Sequence, residues 1–231
     1  MADKSIATVD ELGVKLASSL QVHSEACLKA RRRLPKLVSL VNSTALTLRQ
    51  IRELIEQNQH VYKQACLSDI DSLTVKCRKI YEGILILMAR RTQSVSGGEN
   101  ITVMSVEKME ELFSCLANMS VWRTKSWNWL EPRLKICQQE LKQIKFELVL
   151  RYLLGSIAQL QMQTLTRSPG AWENENSMRC FAENVAARRA KYYKYFEENR
   201  AALNVAPSST SSASSSRASL DDVRSTSSRA T

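Results

Sequence analysis

Apolar residues return at steps of three and four through most of the first 165 positions, the rhythm of helices that bury one side. Val9, Leu12, Leu16, Leu20, His23, Cys27 and Ala30 form the first such stripe and predict a helix over about 5–33. Pro35 marks a short turn and suits an early position of the next helix, because proline has no N–H and the first helical N–H groups are unpaired in any case. From there Leu37, Val41, Thr44, Leu48, Ile51 and Ile55 repeat the pattern. The polar group Gln57-Asn58-Gln59 reads as a turn or a kink. A third helix is expected over about 60–91, with Leu67, Ile70, Leu73, Cys77, Ile80, Ile84 and Leu87 on one face.

The rhythm stops over 92–104, where Ser96-Gly97-Gly98-Glu99-Asn100 reads as an exposed loop. Ser105 is placed to cap a fourth helix carrying Met109, Leu112, Phe113, Leu116 and Met119 inward. Trp122, Trp127 and Trp129 follow as a cluster, and Pro132 fits the first turn of a fifth helix that reaches about 166. That helix is apolar nearly all round at its far end, through Leu148, Val149, Leu150, Leu153, Leu154 and Ile157, which predicts a central position. Arg167-Ser168-Pro169-Gly170 interrupts the chain. A sixth, aromatic-rich helix is expected over about 173–203, with Phe181, Val185, Tyr192 and Phe196 at helical spacing. In 207–231 fourteen of twenty-five residues are Ser or Thr, a composition that buries too little apolar surface to offset ordering entropy. The expected fold is therefore all-α, an antiparallel bundle of five to six helices with a disordered C-terminal tail. Its parts are a bundle over 1–166, an amphipathic helix over 167–206 that docks on or extends from it, and the tail over 207–231.

The 231 residues carry 33 Lys and Arg against 23 Asp and Glu, a net charge of +10. The excess is spread evenly: three in 1–60, two in 61–100, two in 101–166 and three in 167–231. A nucleic-acid footprint concentrates on one face or segment, so the distribution argues against that class of partner. Weak attraction to an anionic membrane surface fits it better. The six cysteines form no C-x-x-C pair and no metal-ligand spacing, and read mostly as buried thiols. The amino terminus has no apolar signal-peptide core, and the longest apolar run, Ile84 to Ala89, is too short to span a bilayer. A cytoplasmic location follows as an expectation.

Catalytic signatures are missing from the sequence. His23 lies on an apolar stripe and reads as a core histidine, His60 as a solvated or capping residue, and no H-E-x-x-H is present. Asp69 and Asp71, taken to open a helix, favour its macrodipole rather than a metal. No glycine is followed by lysine and no G-x-G-x-x-G occurs, so no backbone cradle for a nucleotide phosphate is visible. We expect no enzyme activity, no cofactor, no bound metal and no nucleotide. The candidate interaction surface is Trp122, Trp127, Trp129, Arg188, Arg189, Tyr192 and Tyr193: the tryptophans form either a recognition surface or a plug for the bundle end, and the cation–tyrosine mix forms either an anionic-partner surface or a docking helix with a solvated basic face. Arg217-Ala218-Ser219-Leu220 matches a basophilic kinase pattern, which makes Ser219 a candidate phosphorylation site.

The stretch Ala30-Arg31-Arg32-Arg33-Leu34-Pro35-Lys36-Leu37-Val38-Ser39-Leu40, with Leu48, Ile51, Leu54 and Ile55 after it, resembles part of the helical N-terminal domain of fungal STAND proteins, the NOD-like receptors of fungi. The later run Trp127-x-Trp129-Leu130-x-Pro132-x-Leu134, continuing through Leu141, Lys142, Ile144, Lys145, Leu148 and Leu150, is similar to that domain too. The resemblance covers about 5–165 and implies a helical bundle that serves as a signalling or interaction module. The amino terminus lacks the strongly apolar opening of membrane-active relatives, so pore formation is not expected. Together these readings predict a non-catalytic protein–protein interaction module whose helical faces meet a protein partner. The alternative is a peripheral membrane protein, BAR-like, with basic faces on anionic lipid.

Overall fold

The computed structural model describes residues 2–26, 34–58, 60–89, 104–117, 127–164 and 169–205. They form six helices: α1 (Ala2–Ala26), α2 (Leu34–Gln57), α3 (Gln64–Ala89), α4 (Val106–Ala117), α5 (Trp127–Thr164) and α6 (Pro169–Val205). No strand occurs among the described residues, so the all-α class and the helix count hold. Residues 207–231, with Ser219, lie outside them, as do Trp122 and all but the last residue of the loop expected over 92–104.

Each boundary has a local cause. Pro35 is the second residue of α2, where its missing N–H costs nothing. The helix ends in a turn built by Asn58: its N–H bonds Leu54 O at 3.1 Å, its O accepts from Val61 N at 3.2 Å, and its Oδ1 accepts from His60 N at 3.4 Å. Lys63 O then accepts from Cys66 and Leu67 N and opens α3. Ser105 caps α4 as expected, its Oγ accepting from Lys108 N at 3.4 Å and its O from Met109 N at 3.1 Å.

Four helices make the core. α1 packs on α2 and α3, and α5 packs on α2 and α3 from the other side, so the cyclic order is α1, α2, α5, α3. α4 leans on α3 and, more lightly, on α1. α1 and α2 run in opposite directions, since Asp10 meets Arg49 while Gly13 faces Ala45. α2 and α5 run the same way, with Ser43 beside Lys145, Leu54 beside Gly155 and Asn58 beside Met162. The two are separated in sequence by α3 and α4, which leaves α5 free to enter in that direction.

The apolar stripes fill this ring: Ile6, Val9, Leu16 and Leu20 of α1, Leu37, Val41, Leu48 and Ile51 of α2, Ile70, Cys77, Ile84 and Leu85 of α3, and Leu141 and Leu148 of α5 are all buried. Tyr81 crosses the middle, fully buried, and donates its hydroxyl to Val41 O at 3.2 Å. A Cβ on Gly13 would sit 2.8 Å from the Tyr81 ring and 2.9 Å from Ala45 Cβ, so α1 can approach this closely only with glycine there. Gly155 does the same for the α2–α3 turn: a Cβ would strike the Tyr62 ring and lie 2.7 Å from Leu54 Cδ2. Tyr62 and Val61 are buried, although they lie in the turn before α3 and not in the helix expected over 60–91.

Several buried hydroxyls bond back within their own helices, whereas Oε2 of Glu82 is buried with no hydrogen-bond partner among the described residues. Thr44, Thr47, Thr74 and Ser156 each donate to the carbonyl four residues back. Asp10, 2 % exposed, takes both forks of Arg49 at 3.0 and 3.2 Å and ties α1 to α2. Glu82, 1 % exposed, receives Arg78 Nε at 2.8 Å, and the same guanidinium donates to Met104 O.

Several expected boundaries move. The described part of the first helix is α1, Ala2–Ala26, and 27–33 lie outside the described residues. α3 is shorter than 60–91 because the Asn58 turn takes up 58–63. α5 opens at Trp127, so Pro132 sits inside its second turn, where it cannot donate to Asn128 O and its ring crowds that carbonyl. Asp69 and Asp71 are therefore not at a helix start, and Asp69 binds Arg151 instead, at 2.9 Å. α6 opens at Pro169, before the expected 173, and carries Arg188 and Arg189 mid-helix. The chain divides into two compact units, Met1–Tyr193 and Lys194–Thr231. The division falls within α6. The ring of α1, α2, α3 and α5 belongs to the first unit. No helix is long and apolar enough to cross a membrane among the described residues.

Candidate interaction surface

Outside the ring, the part of α6 up to Tyr193 lies antiparallel along α5: Gln161 donates to Glu175 at 3.0 Å near one end, Arg189 pairs with Glu147, and Tyr192 donates to Gln139 O at 3.3 Å. Among its described side chains only Val185 is buried, while Trp172 is 67 % and Phe181 54 % exposed. Seated this lightly, α6 leaves a groove on each flank.

The structure treats the expected surface residues in three ways. Trp122 lies outside the described residues; Trp127 and Trp129 open α5, and their side chains are likewise outside the description. Arg189, Tyr192 and Tyr193 are half-buried on α5. Tyr193 donates to Glu147 Oε1 at 3.2 Å beside the Arg189–Glu147 pair, and burial, then Glu147, raises its phenol pKa above the ordinary value. Tyr192 stacks obliquely on Phe146 at 5.7 Å and carries the Lys142 ammonium over its face at 4.3 Å. These contacts hold the cation–tyrosine segment against α5. Arg188 alone of the four remains exposed, at the rim of a groove.

That groove, about 550 Å³, lies between α2, α5 and α6. Leu40, Phe146, Val149, Phe181 and Val185 give it apolar walls, and Lys36, Lys142, Lys145 and Arg188 surround them. No Asp or Glu lines it. Lys145 is the innermost cation: its Nζ donates to Ser43 Oγ at 2.7 Å, and burial lowers its pKa by penalising the charged form. The groove on the other flank, about 570 Å³, lies between α3, α5 and α6 and is neutralised from within. There Asp69, Glu140 and Glu147 stand among Lys76, Lys79 and Arg151, and the Asp69–Arg151 ion pair crosses from α3 to α5.

Sequence reasoning named Arg188 but missed Lys36, Lys142 and Lys145. A signal exists: Lys36, Ser39, Leu40 and Ser43 form a second stripe on α2 beside the core stripe, and Lys142, Lys145, Phe146 and Val149 form its counterpart on α5. Only the pairing of α2 with α5, in the same direction, brings these stripes together.

The other candidates take structural places. His23 is buried at 5 % exposure, with a pKa lowered by burial against a backbone hydrogen bond at Leu116. His60 is exposed at the Asn58 turn. Cys77 is buried with its thiol pushed up to about 12, and Cys137 to about 11, both by desolvation, which keeps them protonated and unreactive at neutral pH. No group of three His, Cys, Asp or Glu side chains able to hold a metal ion occurs among the described residues. No family model, curated protein or solved structure matches the chain.

Proposed function

We propose that the chain is a non-catalytic, cytoplasmic helical protein–protein interaction or signalling module, in which the ring of α1, α2, α3 and α5 is the scaffold and α6 presents the contact surface. The supporting observation is the exposure of α6, above all Trp172, left 67 % exposed on a helix whose described part buries only Val185. A large rigid aromatic held on a helix is the kind of side chain that anchors protein interfaces, because it buries much area at little entropic cost. The resemblance to fungal STAND N-terminal domains points to the same class of activity. The partner expected is a protein whose apolar pocket accepts Trp172.

A photo-crosslinking amino acid at position 172, compared with one at exposed Val75 on α3, tests this in cells. A discrete protein adduct formed from 172 and not from 75, and lost when unlabelled wild-type chain competes, is the expected result. Equal labelling from both positions would remove the reading.

A further inference from the structure

We propose that the groove between α2, α5 and α6 is a binding site for a single-chain anionic amphiphile, an acidic headgroup carried on one acyl chain. Two properties of the groove have to be satisfied at once. The first is charge. Lys36, Lys142, Lys145 and Arg188 converge on it, and among the described residues none of them has a carboxylate partner. Other cations of the fold, such as Lys63 and Lys79, also lack a carboxylate partner, but only in this groove do four of them share a lining without Asp or Glu, whereas the groove on the other flank mixes both signs. Lys145 is the sharpest case. Its ammonium is half-desolvated and held only by a hydroxyl, so an anion arriving there replaces lost water with opposite charge.

The second property is the apolar wall. Phe146 and Val149 of α5 and Leu40 of α2 form one side, and Phe181 of α6 overhangs the opening while still 54 % exposed. A free phosphate would satisfy the cations and leave this wall in water. A neutral lipid would cover the wall and leave four cations without a counter-charge. An acidic head with one chain meets both demands, and about 550 Å³ is the size of a site for one small molecule. The cations ring a recess rather than a flat face, which favours a single extracted molecule over a bilayer surface.

Titration calorimetry on the full chain decides the matter, with oleate kept below its micelle concentration, monoolein, inorganic phosphate, and vesicles containing anionic lipid. Saturable 1:1 binding of oleate is expected, with monoolein and phosphate each weaker by about tenfold or more. The K142Q/K145Q double variant should lose about tenfold in oleate affinity, whereas K63Q/K76Q, which removes the same charge elsewhere, should not. Phe181→Ser, an exposed position whose change leaves the fold intact, should weaken oleate while leaving any phosphate binding untouched. The proposal is overturned if phosphate binds as tightly as oleate, if K142Q/K145Q with an unchanged helical spectrum binds oleate like wild type, or if vesicles bind and monomeric oleate does not.

Discussion

The four-helix ring and the helix laid outside it are built from the same kind of chain and reach opposite ends of burial. In the ring each helix meets two neighbours, and its stripe of apolar residues disappears between them: Leu16, Val41, Leu48, Ile70, Ile84 and Leu148 are all fully enclosed. α6 is longer than any ring helix except α5, yet it meets α5 through a line of polar contacts and leaves large aromatics in water. Length and helicity alone therefore contribute little here; what separates the two regions is how many sides a helix has covered. Stability should concentrate in the ring, and binding in the layer outside it.

The comparison breaks most visibly at Tyr81. Removing its ring (Tyr81→Ala) opens a cavity between α1, α2 and α3 and removes the hydroxyl's added bond to Val41 O, so unfolding by urea should show a loss of about 3–5 kcal/mol. A loss under 1 kcal/mol would mean that the ring is not packed around this side chain. Next comes Gly155→Val, which forces Tyr62 and Leu54 apart at the α2–α3 turn; about 2 kcal/mol should be lost, together with protection of the turn from proteolysis. Retention of wild-type stability would show that the turn is not clamped.

A smaller effect follows from His23. Burial lowers its pKa in the folded state below the ordinary 6.5, so the unfolded chain binds the proton more readily. Stability from this group is then complete above about pH 7 and falls as pH drops below 6.5 toward the folded value. Melting temperatures between pH 7.5 and 5.5, within the range where carboxylates stay ionised, should decline in wild type more steeply than in His23→Gln. Parallel curves would show that His23 is not desolvated. The smallest effect belongs to α6: Phe181→Ser should change stability by no more than about 0.5 kcal/mol. A loss comparable to that of Tyr81→Ala would erase the distinction between ring and outer layer.

The ring was largely legible in the sequence because each of α1, α2 and α3 has one face to bury, and the 3.6-residue period records that face. Leu12, Leu37, Cys77 and His23 all sit where the stripe put them, inward or against the core. α5 was harder. It faces α2 and α3 on one side and α6 on another, so its apolar residues point in several directions; the expectation of a uniformly central far end holds for Leu153 and Ile157 but not for Leu154, 51 % exposed. Val61 and Tyr62 were hidden for another reason. They lie in a polar turn with no period to reveal them, and only the glycine at 155, ninety residues away, makes room for the tyrosine. The cationic groove shares that cause: its two halves are separate secondary stripes on α2 and α5, and nothing local states that these helices are neighbours.

The close approach at Gly13 has a consequence for how the chain can vary. A helix that touches its neighbour through a missing side chain cannot slide or rotate by the spacing of one residue, because the next position would bring a Cβ against Tyr81 and Ala45. Gly13, Ala45 and Tyr81 thus behave as one three-part lock that sets the register of α1 against α2 and α3 together. Enlarging Gly13 alone should jam the lock; enlarging it while trimming Tyr81 exchanges one side chain's volume for another and gives the helices a second way to close. The paired change, not either single one, is the step by which such a bundle drifts through sequence space without passing through an unfolded intermediate.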